Sequence, residues 1–182
     1  MSCRKLTTKV TPQSRESIQC EAQSFRDTLE LSAPKVPIVH IYEVLQHVAE
    51  DELDLEVLED DELPDEEAKT FPDTRLVQVR QSVYDAAFDG HARSRFTLAH
   101  ELGHYFMHRD QPASFSRATN FPIFCDSEWQ ADRFASELLI DRRLFDSSWS
   151  VEQIMETFGV SRKAAKIALD DKLDEEKKKG HS

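Results

Sequence analysis

The chain has 182 residues and a formal net charge of −12 at pH 7, and this length suits one domain with a small appendage. Because contacts to phosphate need a positive surface, the charge argues against nucleic-acid binding as the main function. The sequence contains only four glycines, which are too scattered for a glycine-rich phosphate-binding loop and therefore argue against nucleotide chemistry.

Apolar runs and cysteines indicate the cellular location. No apolar run approaches the roughly 20 residues that span a bilayer, and residues 1–10 lack an apolar stretch of signal-peptide length. The three cysteines, Cys3, Cys20 and Cys125, are far apart and form no CxxC pair. They indicate neither a disulfide framework nor a thiolate zinc site. We therefore expect a cytoplasmic protein that does not contact membranes.

The pattern of apolar residues predicts an α+β fold that is mostly helical and contains a small antiparallel sheet. A polar tail ends at about residue 13. The elements predicted after it are helices at residues 14–31 and 38–50, strands at 53–57 and 76–79, a turn or short helix at 84–88, and helices at 93–108 and 126–139.

Residues 50–67 contain twelve acidic side chains and no basic one. One interpretation of this segment is an acidic docking surface for a basic partner protein. The other is a solvent-exposed loop that follows a strand with an acidic outer face. We favour the loop, because runs of charge are usually solvated.

The C-terminal part has the rhythm of a helix-turn-helix. Apolar residues outline two short helices joined at Gly159, with Ser161 as the N-cap of the second. This pattern fits either a DNA-binding unit or a helical hairpin that packs on the core or on a partner. We favour the hairpin, because the second helix has few basic residues and acidic ones follow closely. We divide the chain into a first domain at residues 1–145 and this hairpin with a charged, frayed tail at residues 146–182.

The helix predicted at residues 93–108 carries the sequence HELGH. His100 and His104 are four residues apart, so both imidazoles project from one helical face toward one ion. Glu101 lies beside the metal, where it can take a proton from the attacking water and later give one to the leaving amine. The alternative is that the histidines merely line a helix. The pattern, with a suitable third ligand further on, predicts a zinc site on a zincin-like active-site helix.

Catalytic zinc usually has three protein ligands. We prefer Glu128 as the third, because it begins the sequence EWQAD, which ends at Asp132. These two carboxylates are again four residues apart and share one helical face. From there Asp132 can accept a hydrogen bond from the far nitrogen of a zinc histidine and fix its orientation. HExxH followed by ExxxD is the arrangement of the gluzincin metallopeptidases.

Four other residues are candidates for the third ligand. His108 extends the histidine ladder, but one straight helix cannot place three successive ladder positions around one tetrahedral ion, so we interpret it as a wall or helix-end residue. Asp110 has the metzincin spacing, but Met107 stands where that arrangement has glycine. His91 precedes the helix, and Glu137 lies well along the second helix.

A donor toward the tetrahedral oxyanion is also expected in a peptidase. Tyr84, Tyr105 and His91 are the candidates. Tyr105 directly follows a predicted ligand and therefore points away from the ligand face. We select Tyr84.

Two segments, RFTLAHELGH at residues 95–104 and EWQADRFASELL at residues 128–139, resemble the ImmA/IrrE family of metallopeptidases. The likeness extends more weakly from about residue 14 to residue 173. It implies an intracellular, zinc-dependent peptidase of bacterial or phage origin, and characterised members cleave a helix-turn-helix repressor. The resemblance assigns the zinc histidines to His100 and His104, the catalytic carboxylate to Glu101 and the third ligand to Glu128.

The sequence departs from the family pattern at two places. Asp132 stands where the family often has asparagine, and an aspartate serves the same orienting role. Residues 140–141 are Ile-Asp, where the family often has Met-Pro.

Three functions follow from these patterns and from the resemblance, which alone implies the helix-turn-helix regulator as partner. The leading one is a zinc endopeptidase that acts on a helix-turn-helix regulator or an antitoxin-like partner and binds it along the strand at residues 76–81. The second is a zinc-stabilised binding module that sequesters a transcription regulator without cleaving it. The third is a DNA-binding regulator, against which the acidic charge argues. Glu101 favours the peptidase, because a scaffold has no chemical need for that carboxylate.

Overall fold

The computed structural model describes residues 8–48, 53–109 and 121–179. These ranges form the predicted α+β fold, with mostly helical structure beside a small sheet. The helices are α1 (Arg15–Thr28), α2 (Ile38–Val48), α3 (Gln81–Phe88), α4 (Ala92–His108), α5 (Ser127–Leu139), α6 (Val151–Phe158) and α7 (Arg162–Lys179), and the strands are β1 (Asp54–Leu58), β2 (Ala68–Phe71) and β3 (Leu76–Arg80). Among the described helices, none is long and apolar enough to cross a membrane.

The sheet is mixed, whereas the sequence predicted an antiparallel one. Its strand order is β1-β3-β2, and the central strand β3 runs parallel to β1 and antiparallel to β2. Val77 and Val79 of β3 are fully buried, which explains why this strand was readily predicted. β2 was missed because its four residues, AKTF, directly follow the acidic run and lack the alternation of a half-buried strand.

The expectation that β3 binds a substrate along its edge is wrong, because strands occupy both of its sides. β1 and β2 are the edge strands of the sheet, and β2 packs against α4. The Arg80 N–H donates to the Glu67 carbonyl, and hydrogen-bonded pairs alternate along an antiparallel ladder. Ala68 and Thr70 therefore turn their backbone N–H and C=O groups away from β3.

Helices α4 and α5 pack closely because Gly103 has no side chain. A Cβ atom added at Gly103 would lie 3.0 Å from the Ala131 Cα atom and 3.1 Å from the Ala131 carbonyl oxygen. The two helices share the hydrophobic core with α1, α2 and the sheet. The largest fully buried side chains of α4 and α5 include Arg95, Leu98, Leu102, Tyr105, Phe134, Leu138 and Leu139.

Helices α6 and α7 form the predicted helical hairpin. α6 ends at Phe158 and is capped by Gly159, whose φ of 63° lies in the left-handed region. Ser161 caps α7, because its hydroxyl accepts a hydrogen bond from the Ala164 N–H. α7 continues to Lys179, so the tail predicted to be frayed is helical as far as it is described. Side chains of this hairpin belong to the same core as α4 and α5, and the domain division at residue 145 stays a prediction.

Candidate metal centre

Helix α4 presents His100 and His104 on one face. Their side chains are each 16% exposed, and their Nε2 atoms lie 2.9 Å apart. Because one turn of helix rises about 5.4 Å, the four-residue spacing stacks the two rings edge to face, with 4.6 Å between their centroids. Two imidazole nitrogens therefore converge on one point of the surface.

Helix α5 brings a carboxylate to the same point. Asp126 caps this helix, and its side chain accepts a hydrogen bond of 3.0 Å from the Glu128 N–H. Glu128 Oε1 lies 3.3 Å from His104 Nε2, and Glu128 Oε2 lies 3.5 Å from His100 Nε2. Ligand atoms of the three residues all lie within 4.8 Å of one another. Two imidazoles and one carboxylate are a common donor set for a three-ligand metal site, so these residues fit a bound metal ion.

Opposite charges stabilise each other within this group. Burial lowers the pKa of His100, but hydrogen bonds to Asp132 and Glu128 outweigh it and raise the pKa to about 10. The hydrogen bond from His100, with the neighbouring His104, holds the pKa of Glu128 well below its usual range. A ligating imidazole nitrogen must be free of its proton, so protons compete with a metal ion for this group.

The far nitrogens of both histidines also have partners. His100 Nδ1 lies 2.9 Å from Asp132 Oδ1, which is the contact that the ExxxD spacing predicted. His104 Nδ1 lies 3.2 Å from His108 Nδ1, and His108 Nε2 lies 3.1 Å from Gln130 Oε1. Burial and the neighbouring His104 lower the pKa of His108 to about 4, so His108 is neutral at pH 7.

Glu101 lies beside the metal-binding group and contacts the sheet. It is 7% exposed, and the Thr70 hydroxyl donates a hydrogen bond of 2.6 Å to Glu101 Oε2. Thr70 belongs to β2, so the edge strand and the predicted catalytic carboxylate are directly connected. An open cleft of about 880 Å³ runs over them and is lined by the metal-binding group, by residues 65–70 and by residues 8–10.

The structure separates two of the alternative ligands from this group. Glu137 is buried in ion pairs with Arg133 and Arg142. His91 is the N-cap residue of α4, and its Nδ1 atom lies 3.1 Å from the Ala86 carbonyl oxygen. Asp110 lies outside the described residues.

The candidate oxyanion donors are not brought to the cleft. Tyr84 is half-buried on α3 and interacts with Glu43 of α2, and burial and this carboxylate raise its pKa. Tyr84 is not among the residues that line the cleft. Tyr105 is fully buried in the core.

Two residues of the site were missed from the sequence. Thr70 lies in the unpredicted strand β2, and its contact with Glu101 joins positions far apart in the chain. Gln130 lies inside the EWQAD segment, but its burial is seen only in the structure and no local pattern marks it. Its position on α5, one turn from the helix end that carries Glu128, places its side chain beside His108.

Comparison with known proteins agrees with this geometry. A protein-family model described as the IrrE N-terminal-like domain, peptidase family M78, matches residues 50–170. The match covers more than half of the chain and includes β1 to β3, α3 to α6 and the first half of α7. Searches of curated proteins and of solved structures gave no match. The chain therefore belongs to the IrrE N-terminal-like family of M78 peptidases, and its own residues form a centre able to bind a metal ion.

Proposed function

We propose that this protein is a zinc-dependent endopeptidase of the cytoplasm. The observation that carries the proposal is the convergence of His100, His104 and Glu128 beside the buried carboxylate of Glu101. Catalytic zinc sites use three protein ligands and keep one position open, whereas structural zinc sites are closed by four. Among the described residues, the metal-binding group has three members.

Different residues of the site have different roles in the proposed hydrolysis. A bound zinc ion supplies a Lewis acid that polarises the scissile carbonyl and acidifies water. The Glu101 carboxylate takes the proton of the attacking water and passes one to the leaving nitrogen. The hydrogen bond from Thr70 holds this carboxylate in one orientation. Asp132 does the same for the imidazole of His100.

The cleft suits a peptide in extended conformation. Ala68 and Thr70 of β2 offer outward backbone groups, with which a substrate strand pairs by adding to the edge of the sheet. Asp65, Glu66 and Asp73 also line the cleft, so basic side chains of a substrate are favoured there.

A helix-turn-helix regulator is the substrate that we propose. The support is the family resemblance, together with charge complementarity. DNA-binding proteins carry basic patches, and this chain has a net charge of −12. The same charge leads us to propose that the protein itself does not bind DNA.

The alternative is a zinc-stabilised module that sequesters such a regulator without cleaving it. Glu101 argues for the peptidase. Burying a carboxylate costs stability, and Glu101 does not belong to the metal-binding group. Peptide hydrolysis requires a general base such as this carboxylate, whereas binding a partner does not.

The test uses zinc-loaded protein and a helix-turn-helix repressor encoded beside its gene, with mass spectrometry of the products. We expect the wild type to cleave the repressor and Glu101→Gln to be slower by about 10²- to 10⁴-fold, with the same zinc content. Equal rates for both proteins would rule out Glu101 as the base. Full zinc occupancy with tight binding of the repressor and no cleavage would establish the sequestering module instead.

A further inference from the structure

A chain of hydrogen bonds leads from the metal-binding face of α4 into the protein interior. It starts at His104 Nδ1, passes through both ring nitrogens of His108, and ends at the side-chain amide of Gln130. Gln130 is fully buried and His108 is 7% exposed. From the sequence, His108 was interpreted as a wall or helix-end residue, and neither of these two residues has a role in the proposed reaction.

The backbone fixes which way the Gln130 amide points. Its Nε2 atom donates two hydrogen bonds of 2.8 Å, one to the Thr11 carbonyl and one to the Phe124 carbonyl. A carbonyl only accepts, so the amide nitrogen must face these two groups and the amide oxygen must face His108. Oε1 can only accept, and His108 Nε2 must therefore carry a proton.

The proton on His108 Nε2 determines the rest of the chain. His108 is 7% exposed and lies between an imidazole and an amide, neither of which brings a negative charge, so burial favours its neutral form. A neutral imidazole has one N–H donor and one acceptor nitrogen, so His108 Nδ1 is an acceptor. The nitrogen that faces it, His104 Nδ1, must then be the donor. With its proton on Nδ1, His104 has a free lone pair on Nε2, the atom that faces His100 and Glu128.

We propose that His108 and Gln130 are positioning residues that hold His104 in the one tautomer able to bind the metal through Nε2. This inference rests on the proposed metal site. Gln130 is anchored by two backbone carbonyls, His108 is oriented by Gln130, and His104 is oriented by His108. Partners of this kind fix the ring orientation of metal-binding histidines and raise their basicity.

The two histidines of the site have different hydrogen-bond partners, because one partner is exposed to solvent and the other is buried. Asp132, the partner of His100, has a side chain that is 61% exposed, where a charge is well solvated. The partner of His104 lies in the interior, where an unpaired carboxylate would be strongly destabilising. The neutral imidazole of His108 accepts the hydrogen bond from His104, and the neutral amide of Gln130 accepts the one from His108. No charge is buried in this arrangement.

The first test measures zinc affinity of the metal-free protein by competition with a chromogenic chelator. His108→Leu removes the acceptor, and we expect the dissociation constant to rise about 10- to 100-fold. His108→Asn keeps an acceptor near the position of Nδ1 and should restore most of the affinity. His40→Leu, the same change at an exposed histidine of α2, should have no effect. Unchanged affinity in His108→Leu would overturn the proposal while leaving the metal site intact.

The second test reads the tautomers directly in the zinc-loaded wild type, from ¹H–¹⁵N spectra of the histidine side chains. We expect His104 to carry its proton on Nδ1 and His108 to carry its proton on Nε2. A proton on His108 Nδ1 would overturn the proposal, even if a variant failed to fold. A wild type that bound no zinc would overturn the proposed function and this inference together.

Discussion

At the scale of single residues, Glu101, the proposed general base, is held by the hydroxyl group of Thr70, which lies in another part of the chain. The Thr70 hydroxyl lies 2.6 Å from Glu101 Oε2, and hydrogen bonds to charged groups contribute about 1.5–3 kcal/mol. We expect Thr70→Val to lower kcat about tenfold or more, because a loosely held carboxylate is less often in position. Thr70→Ser keeps the hydroxyl and should stay close to the wild type.

The measurement for Thr70 is steady-state kinetics at equal zinc content, with KM and kcat determined separately. A wild-type kcat in Thr70→Val would show that the hydroxyl does not hold Glu101 in position and would contradict this account.

The sequence predicted the residues whose partners follow a local spacing. His100, His104 and Glu101 lie within one turn of helix, and Glu128 with Asp132 repeats that spacing on the next long helix. The structure brings these residues together. Thr70 could not be found in this way, because its hydrogen bond to Glu101 depends on how β2 packs against α4, which no local pattern encodes.

At the scale of elements, the metal-binding group depends on the distance between α4 and α5. Gly103→Ala would place a methyl group 3.0 Å from the Ala131 Cα atom, so one backbone must move away from the other. Overpacking costs about 1–3 kcal/mol, against a gain of about 1 kcal/mol in helix propensity. We expect a modest loss of stability and a clear loss of metal affinity, because Glu128 moves with α5.

Thermal unfolding and zinc titration of Gly103→Ala test this expectation. A matched control is Ala99→Ser, a small enlargement of a buried position on the same helix. Wild-type zinc affinity in Gly103→Ala would show that α5 can move without displacing Glu128.

Helices α1, α2, α4 and α5 were predicted to within a few residues, because their apolar period and their caps are local features. Helix α7 is longer than predicted. Ser14, Asp126 and Ser150 each accept hydrogen bonds from the first turn of α1, α5 and α6. The direction of strand pairing was not predictable from local patterns. β1 pairs directly with β3, although β2 lies between them in the sequence. The same long-range pairing made β2 an edge strand and removed β3 from that role.

At the scale of the whole molecule, buried ion pairs connect the N-terminal helix to the end of α5. Arg26 is 1% exposed, and its Nε atom lies 3.3 Å from Asp141 Oδ2. Arg143 also binds Asp141 through its Nε atom at 3.0 Å. Asp141 stands where the family often has proline, and here it compensates the charge of a buried guanidinium.

We expect Asp141→Asn to lower the free energy of unfolding by about 3 kcal/mol at neutral pH, because it leaves Arg26 buried without a counter-charge. The measurement is urea unfolding. Asp27→Asn is the control, because Asp27 also binds Arg143 but has a side chain that is 63% exposed, and it should cause a much smaller loss. Equal losses in the two variants would contradict this account.

The same carboxylate contributes to acid sensitivity. Burial raises the pKa of Asp141, but hydrogen bonds from Arg143 and the charges of Arg143 and Arg26 outweigh it and lower the pKa below the ordinary 3.8. A lowered folded-state pKa stabilises the protein above the unfolded pKa, and this stabilisation is lost as the pH falls through the folded pKa. The stability difference between wild type and Asp141→Asn should therefore be constant near neutral pH and shrink below about pH 4. A difference that stayed constant down to pH 2, measured by urea unfolding, would contradict the assignment.

The central claim is that α4 and α5 together form one zinc centre, and the most direct test is zinc binding by isothermal titration calorimetry. We predict one zinc ion per wild-type chain and an affinity at least about 100-fold weaker in Glu128→Gln. Glu66→Gln, a change at another carboxylate that lines the cleft, should bind zinc as the wild type does. Wild-type affinity in Glu128→Gln, or a wild type that binds no zinc, would contradict the account.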